Sequence, residues 1–292
     1  MESSEKITLT IIVLLAFAIA LVVIALPAAL KLLQTQTTTL TPTLNITTTT
    51  VTIVMGDEEG FIIKDSKILL PYPKLKGNMS VEEAIAFRRS IREYKDEPLT
   101  ISQLSQLLWA AQGITETRWG FRAAPSAGAT YPLEVYVVIG ENGVKGLKPG
   151  VYKYLPHEHA IVLVKEGDVR EELYKAALNQ EWVLKAPITI VITAVYERTT
   201  SRYGERGIRY VHMEVGHVGQ NIYLQATALG LGTVVVGAFY DEEVRRIINA
   251  PENEHPLYLV PIGKPVKPYR ITLEELIEYY EKHREDDPDG SR

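Results

Sequence analysis

The sequence predicts an α+β fold, with helices around a mostly antiparallel sheet, and three observations carry that reading. Runs of β-branched and aromatic residues at 133–140, 188–196, 232–239 and 257–263 read as buried strands. Segments 150–154 and 160–164 flank Leu155-Pro156-His157-Glu158-His159 as the arms of a hairpin would. Amphipathic stretches with start and stop signals interleave with these strands, and the early hairpin breaks any regular βαβ alternation.

From the N-terminus, residues 7–30 carry no charge. As a helix they would run about 36 Å, enough to cross a hydrocarbon core with some tilt. A cleaved signal has an apolar region of only about 7–15 residues, so residues 1–33 are expected to be a single N-terminal transmembrane anchor. Lys6 and Lys31 flank the run on either side and leave its orientation open. Residues 34–56 are Thr-rich, uncharged and contain the sequon Asn45-Ile46-Thr47, the composition of a glycosylated stalk. That points to an extracytoplasmic domain formed by residues 57–292.

Within that domain Ser80 and Glu83 have the spacing of a capping box ahead of a helix. Thr100 caps an amphipathic helix that Gly113 stops. After the strand at 133–140 and the hairpin come a helix near 169–178, the strand at 188–196 and a long helix over about 210–229. The strand at 232–239, a helix at 241–249, the strand at 257–263 and a last helix at 271–283 complete the order.

Composition narrows the function. The net charge of −5 and the lack of a basic patch with interleaved aromatics argue against nucleic acid. There is no cysteine, which excludes disulfides, thiol nucleophiles and iron–sulfur clusters. Gly230-Leu231-Gly232 follows a helix and precedes a strand, the reverse of a phosphate-binding turn. His212 and His217 point about 140° apart on a helix, and His157 and His159 sit at a hairpin tip, read as a solvated turn. No metal site is expected.

Three segments carry more information. The loop Pro125-Ser126-Ala127-Gly128-Ala129 has almost no side chain to pack and leads into a buried strand, so it is either a tight turn or a backbone laid flat against something planar. Arg88-Arg89-Ser90-Ile91-Arg92 could answer a helix dipole or clamp a phosphate. Gly216, Gly219, Tyr223, Ala226 and Gly230 give one helix face a stripe of mostly small residues, which calls for close approach by another helix, in the fold or across a dimer.

Together, RRSIREY, PSAGATYPLEVYVV, PGVYKYLPHEHAIVLV, the long segment from Arg202 to Phe239 and LYLVPIGKP resemble the nitroreductase-like flavoproteins, in particular the branch of SagB-type dehydrogenases. The resemblance covers about residues 80–265. It implies a nitroreductase-like fold, an intertwined homodimer and FMN at the subunit interface. By position, Arg88, Ser90 and Arg92 would hold the FMN phosphate and ribityl chain and put positive charge near the pyrimidine end of the ring. Pro125, Ser126, Ala127 and Gly128 would come from the partner chain and lie along the flavin. Gln180, with Asn179, would meet the pyrimidine edge, and Val236-Gly237 would offer a backbone N–H towards N5 or O4. Lys264 or Lys267 would complete the phosphate site. The branch's Lys-Tyr catalytic pair falls here on Arg202-Tyr203. Arginine has a pKa above about 12 and is a poor base.

The resemblance thus implies an FMN-dependent oxidoreductase that passes hydride through flavin N5 on a small-molecule or peptide substrate, with NAD(P)H, a quinone or oxygen as electron partner. The alternative is an FMN-binding but catalytically degenerate ectodomain that acts as a binding or sensing module.

Overall fold

Two local signals start the first helices where the sequence predicts them. In the computed structural model, helix α1 (Val81–Phe87) opens on Ser80, whose hydroxyl accepts the Glu83 N–H while the Glu83 carboxylate accepts the Ser80 N–H. Helix α2 (Ile101–Gln112) repeats this box with Thr100 and Gln103 and ends at Gly113. Each box satisfies two N–H groups that a helix start leaves bare.

The structure describes residues 51–54, 61–64 and 66–286. The apolar run at 7–30, and the Thr-rich segment up to residue 50, lie outside the described residues. Among the described residues no helix is long and apolar enough to cross a membrane.

In chain order the strands are β1 (Val51–Val54), β2 (Phe61–Lys64), β3 (Lys67–Leu69), β4 (Ile114–Glu116), β5 (Phe121–Arg122), β6 (Leu133–Ile139), β7 (Gly150–Leu155), β8 (Ala160–Glu166), β9 (Ile188–Ala194), β10 (Gly232–Thr233) and β11 (His255–Gly263). The main sheet runs β1-β2-β3-β8-β7-β6-β9-β11-β10, and β4 and β5 pair separately. The described strand pairs are antiparallel throughout, as the α+β reading expects. The sheet starts at Val51, inside the segment read as stalk, because Val51–Val54 pairs with Phe61–Lys64.

The central strands are buried on both faces, and their period of two divides the core. Val135, Val137 and Ile139 of β6 pack with Ile188, Ile190 and Ile192 of β9 against α2 and the long helix α6 (Arg206–Ala228). Tyr136, Val138 and Val191 face the other side, against α3 (Arg170–Ala176), α4 (Glu181–Lys185) and α7 (Asp241–Ile247). Glu254 is buried on this side, where Lys153 Nζ, Tyr136 OH and Thr193 Oγ1 donate to it at 2.8, 2.9 and 2.7 Å.

Three expectations need correction. A polar helix, α5 (Glu197–Tyr203), precedes α6 and has no apolar periodicity to reveal it. The run at 232–239 enters the sheet only at Gly232–Thr233, since the Val235 N–H goes to the Tyr223 hydroxyl and Val236 makes one bridge to Leu259. The small-residue stripe divides. Gly219 allows the Tyr258 ring of β11 to pack, with a Cβ there only 3.2 Å from it, whereas Gly216 is exposed with open space beside it. The last helix, α8 (Leu273–Asp286), closes the described chain.

Candidate functional site

After α1 the chain does not continue as a helix end. Arg88 caps α1, the segment then extends, and Ser90 bridges Thr233 in parallel. Extension sends alternate side chains to opposite sides. On one side Arg88 lies 5.0 Å over the Tyr223 ring, the Ser90 hydroxyl is 2.9 Å from the Tyr223 hydroxyl, and Arg92 lies 5.2 Å over Trp182. Arg89 turns away onto Tyr269, 3.9 Å from the ring centre, and donates to the carbonyls of Ala86 and Arg88. The three-arginine cluster therefore divides into a pair with a serine between and one arginine facing elsewhere. Neither Arg88 nor Arg92 has a carboxylate partner among the described residues.

Beside this pair, Gln180 ties two loops together by donating to Ala177 O and Ala238 O at 2.9 and 2.8 Å. That places it next to Gly237, which is exposed and whose N–H has no partner among the described residues. Val236 anchors the turn by exchanging two backbone hydrogen bonds with Leu259. Asn179 is exposed at a φ of 58°, just before α4. Trp182 on α4 is half-buried, and its Nε1–H is buried without an acceptor. Sequence reading missed Trp182, although an aromatic one helical turn beyond a loop amide was there to be seen.

Lys264 is ion-paired with Glu97 at 2.5 Å. It borders a cavity of about 210 Å³ on the Arg89 side, with Arg89, Lys95 and Arg270. Lys267 is exposed and makes no ion pair among the described residues.

The 125–128 loop stands elsewhere. Ser126 Oγ accepts the Tyr131 N–H at 2.9 Å, Ala127–Ala129 forms a single 3₁₀ turn, and Gly128 is left-handed at a φ of 60°. Arg202 and Tyr203 end α5 directly against it. Arg202 donates to Gly128 O at 3.0 Å, and a Cβ on Gly128 would lie 2.5 Å from the Tyr203 hydroxyl. The structure thus brings Arg202, Tyr203 and the small-residue loop together, which their sequence separation does not reveal.

Beneath the loop is Glu214 of α6, only 2% exposed. Burial pushes its carboxyl up to about 7, against the opposing pull of hydrogen bonds from Ser126 and Gln112 and of the nearby Arg122 charge. With Pro125, Ser126, Ala127, Tyr210, Met213 and His217 it borders an open cavity of about 280 Å³. The sequence could have shown this residue, since Glu214 occupies an inward position among Val211, Val215 and Val218.

Both clusters touch α6, one at Glu214 and the other at Tyr223. Nine residues of helix separate them by about 14 Å. One chain therefore carries two separate clusters. His212 bonds the Tyr196 hydroxyl at 2.6 Å, and no cluster of metal-ligating residues occurs among the described residues. His159, read as part of a solvated turn, is instead partly buried between Tyr154 OH and Ser105 Oγ, at 2.9 and 2.8 Å.

The sequence profile of the nitroreductase family matches residues 85–264. The chain is 53% identical to a candidate nitroreductase of Methanocaldococcus jannaschii, MJ1384, over 65% of this chain and 93% of that protein. It is 28% identical to the trifolitoxin operon protein TfxC of Rhizobium leguminosarum and 29% identical to the microcin B17-processing protein McbC of Escherichia coli. Those alignments take in 69% and 52% of this chain but only 58% and 57% of the two relatives. Among solved structures, a candidate nitroreductase from Ralstonia eutropha JMP134 matches with a TM-score of 0.61 at 28% identity, over 75% of this chain and 95% of that one. A chain of the E. coli microcin synthetase McbBCD complex, solved with truncated pro-MccB17 bound, gives 0.54 at 25% identity, over 68% and 78%.

The chain belongs to the nitroreductase family. It is an FMN-dependent oxidoreductase of that family, with FMN as its cofactor. The residues present fit this group. Arg88 and Arg92 are two cations without carboxylate partners on one side of an extended segment, and the Gly237 N–H and Trp182 Nε1–H are donors left free beside them.

Proposed function

We propose that the chain works as a homodimer in which each FMN is held by the Arg88, Ser90 and Arg92 side of one protomer and the 125–128 loop of the other. The observation that carries this reading is the separation of the two clusters along α6, because a single flavin ring does not span both within one chain. When bound, FMN supplies a two-electron hydride carrier through its N5 atom. Arg88, with Lys267 in preference to the ion-paired Lys264, binds the phosphate. Ser90 hydrogen-bonds the ribityl chain, and Arg92 puts positive charge near the pyrimidine end, where negative charge grows on reduction. Gln180 and Asn179 border that edge, and the free Gly237 N–H orients the ring. Pro125, Ser126, Ala127 and Gly128 present backbone instead of bulk, so the ring lies flat.

Tyr203 and Arg202 stand at the substrate side. The Tyr203 hydroxyl can hold or return a proton, while the Arg202 guanidinium stays charged and anchors. A peptide substrate is supported by the peptide-bound McbBCD structure. Arginine in the base position favours a second reading, the reduction of small oxidised acceptors such as nitro compounds or quinones by NAD(P)H. The uncharged run at 7–30 supports a membrane anchor, and the Thr-rich stalk supports an extracytoplasmic domain.

The test is an FMN titration of the full chain alongside R88Q and R89Q. Loss of a charge-assisted contact in R88Q should weaken FMN at least about tenfold, with R89Q close to wild type. Equal effects from the two would reject the assignment of sides. Bound flavin that NADH, reduced quinone and peptide all fail to reduce, and that oxidised acceptors fail to reoxidise after chemical reduction, would favour the degenerate binding module.

A further inference from the structure

The chain just after the small-residue loop is held in an uncommon conformation. Gly128, Ala129 and Tyr131 are left-handed, at φ values of 60°, 53° and 44°, with a right-handed Thr130 between the last two. Glycine adopts this conformation freely, but the Cβ of Ala129 and of Tyr131 then crowds the neighbouring backbone. Such a stretch persists only where its surroundings fix it, and ligand-binding segments are where it collects.

Helix α5 does the fixing, laid along the loop in the opposite direction. Arg202 Nη1 donates to Gly128 O at 3.0 Å, the Thr199 and Thr130 hydroxyls meet at 2.8 Å, and Arg198 Nη1 donates to Tyr131 O at 3.0 Å. Thr130 spends its one hydroxyl proton on Ala127 O, so Thr199, 1% exposed, is the donor of that pair. Arg198 does more than the other two. Its second arm, Nη2, forms an ion pair with Glu134 of β6, whose side chain is 17% exposed. One planar guanidinium thus joins α5, the end of the loop and the central sheet. Tyr131 has two further ties, its N–H to Ser126 Oγ at 2.9 Å and its hydroxyl to the Arg122 N–H at 3.1 Å. Both of those partners lie in the chain leading through the loop, whereas Arg198 brings in a separate element.

We propose that Arg198 is a positioning residue for the flavin-facing loop. By docking α5 along residues 128–131 it keeps Ala129 and Tyr131 left-handed, so that the 125–128 backbone and the Arg202-Tyr203 pair are preset before flavin arrives. The inference rests on the assignment of that loop to the flavin. A loop that is competent only part of the time weakens apparent affinity by the competent fraction.

The experiment compares wild type, R198Q, R198K and R198Q/A129G as full chains, with two measurements on each. Hydrogen–deuterium exchange of the flavin-free protein, read by mass spectrometry, follows a peptide over residues 125–132 against peptides from β6 and β9. A fluorescence titration gives the FMN Kd. In R198Q the loop peptide should exchange at least about tenfold faster while the strand peptides stay at wild-type rates, and the Kd should rise roughly tenfold. R198K keeps the charge without the two-armed reach and should fall between wild type and R198Q. Glycine at 129 removes the crowding at a φ of 53°, so R198Q/A129G should recover at least about threefold of the lost affinity. R198K and R198K/A129G carry the same comparison if R198Q does not fold. Wild-type loop exchange in R198Q would overturn the role, and so would acceleration shared equally by the strand peptides. A second glycine that recovers nothing would reject the left-handed conformation as what Arg198 holds. Faster loop exchange with an unchanged Kd would instead overturn the assignment of the loop to the flavin, and this inference with it.

Discussion

The Tyr223 phenol stands 2.9 Å from the Ser90 hydroxyl and, at the same distance, accepts the Val235 N–H. One side chain of α6 thereby holds the extended arginine segment and the turn leading to Gly237 in a single frame. Replacing it by phenylalanine leaves the Val235 N–H without an acceptor and frees Ser90 to rotate. Y223F should lower stability by about 1–3 kcal/mol and raise the FMN Kd roughly three- to tenfold. Fluorescence titration reads the second effect, and an unchanged Kd would show that Ser90 does not depend on Tyr223.

Gly128 makes a second prediction. Its φ of 60° and the 2.5 Å from a Cβ to the Tyr203 hydroxyl leave little room for alanine. G128A should cost about 1–2 kcal/mol, seen by calorimetry as a Tm lower by about 2–8 °C. The displaced groups are Arg202 and Tyr203, so turnover should fall further than stability does. Wild-type Tm and turnover together would mean that the loop shifts at no cost.

The Glu254 network bears on stability alone. K153M strips the cation from a carboxylate that is 3% exposed and should cost about 3–5 kcal/mol in urea unfolding at an unchanged m-value. Adding E254Q should restore at least half of the loss. A loss that E254Q leaves untouched would place the damage in packing around the Lys153 stem.

The pH dependence of folding follows from the direction of each shift. Burial raises Glu214 from 4.5 to about 7, so its contribution is complete below pH 4.5 and is lost as pH rises through 7. Full ionisation costs the folded state about 3 kcal/mol. Glu134 and Asp168, held low by Lys153, Arg198 and Arg170, act in the opposite sense and only in acid. His159, lowered by burial, also disfavours the folded state as pH falls below its ordinary 6.5. The advantage of wild type over E214Q should therefore shrink by about 3 kcal/mol between about pH 4.5 and about pH 7 and change little above that. A decline of equal size in both would assign it to another group.

Much of the fold was legible because it is locally encoded. The boxes at Ser80 and Thr100 and the hairpin between Gly150 and Ala160 each lie within a few residues. What the sequence did not reveal depends on distant partners. β1, β2 and β3 are short, and they owe their place to pairing that ends on β8. The valine run after Gly232 reads as a strand, but Tyr223 takes the hydrogen bond that would have extended the ladder. Of the site, the identity of the arginines was visible and their direction was not. Reading residues 88–92 as a helix end hid the alternation that separates Arg89 from Arg88 and Arg92. Glu214 was not singled out, although its place on an apolar helix face was plain.

The 14 Å of helix between the two half-sites has a genetic consequence in the proposed dimer. A lesion at Arg88 and a lesion at Gly128 damage different contributions to the same pocket. In a mixed dimer of the two mutant chains, both lesions fall on one pocket and the other pocket is assembled wholly from intact parts. Two alleles that are each inactive alone should then complement when co-expressed, whereas two lesions within the same half should not.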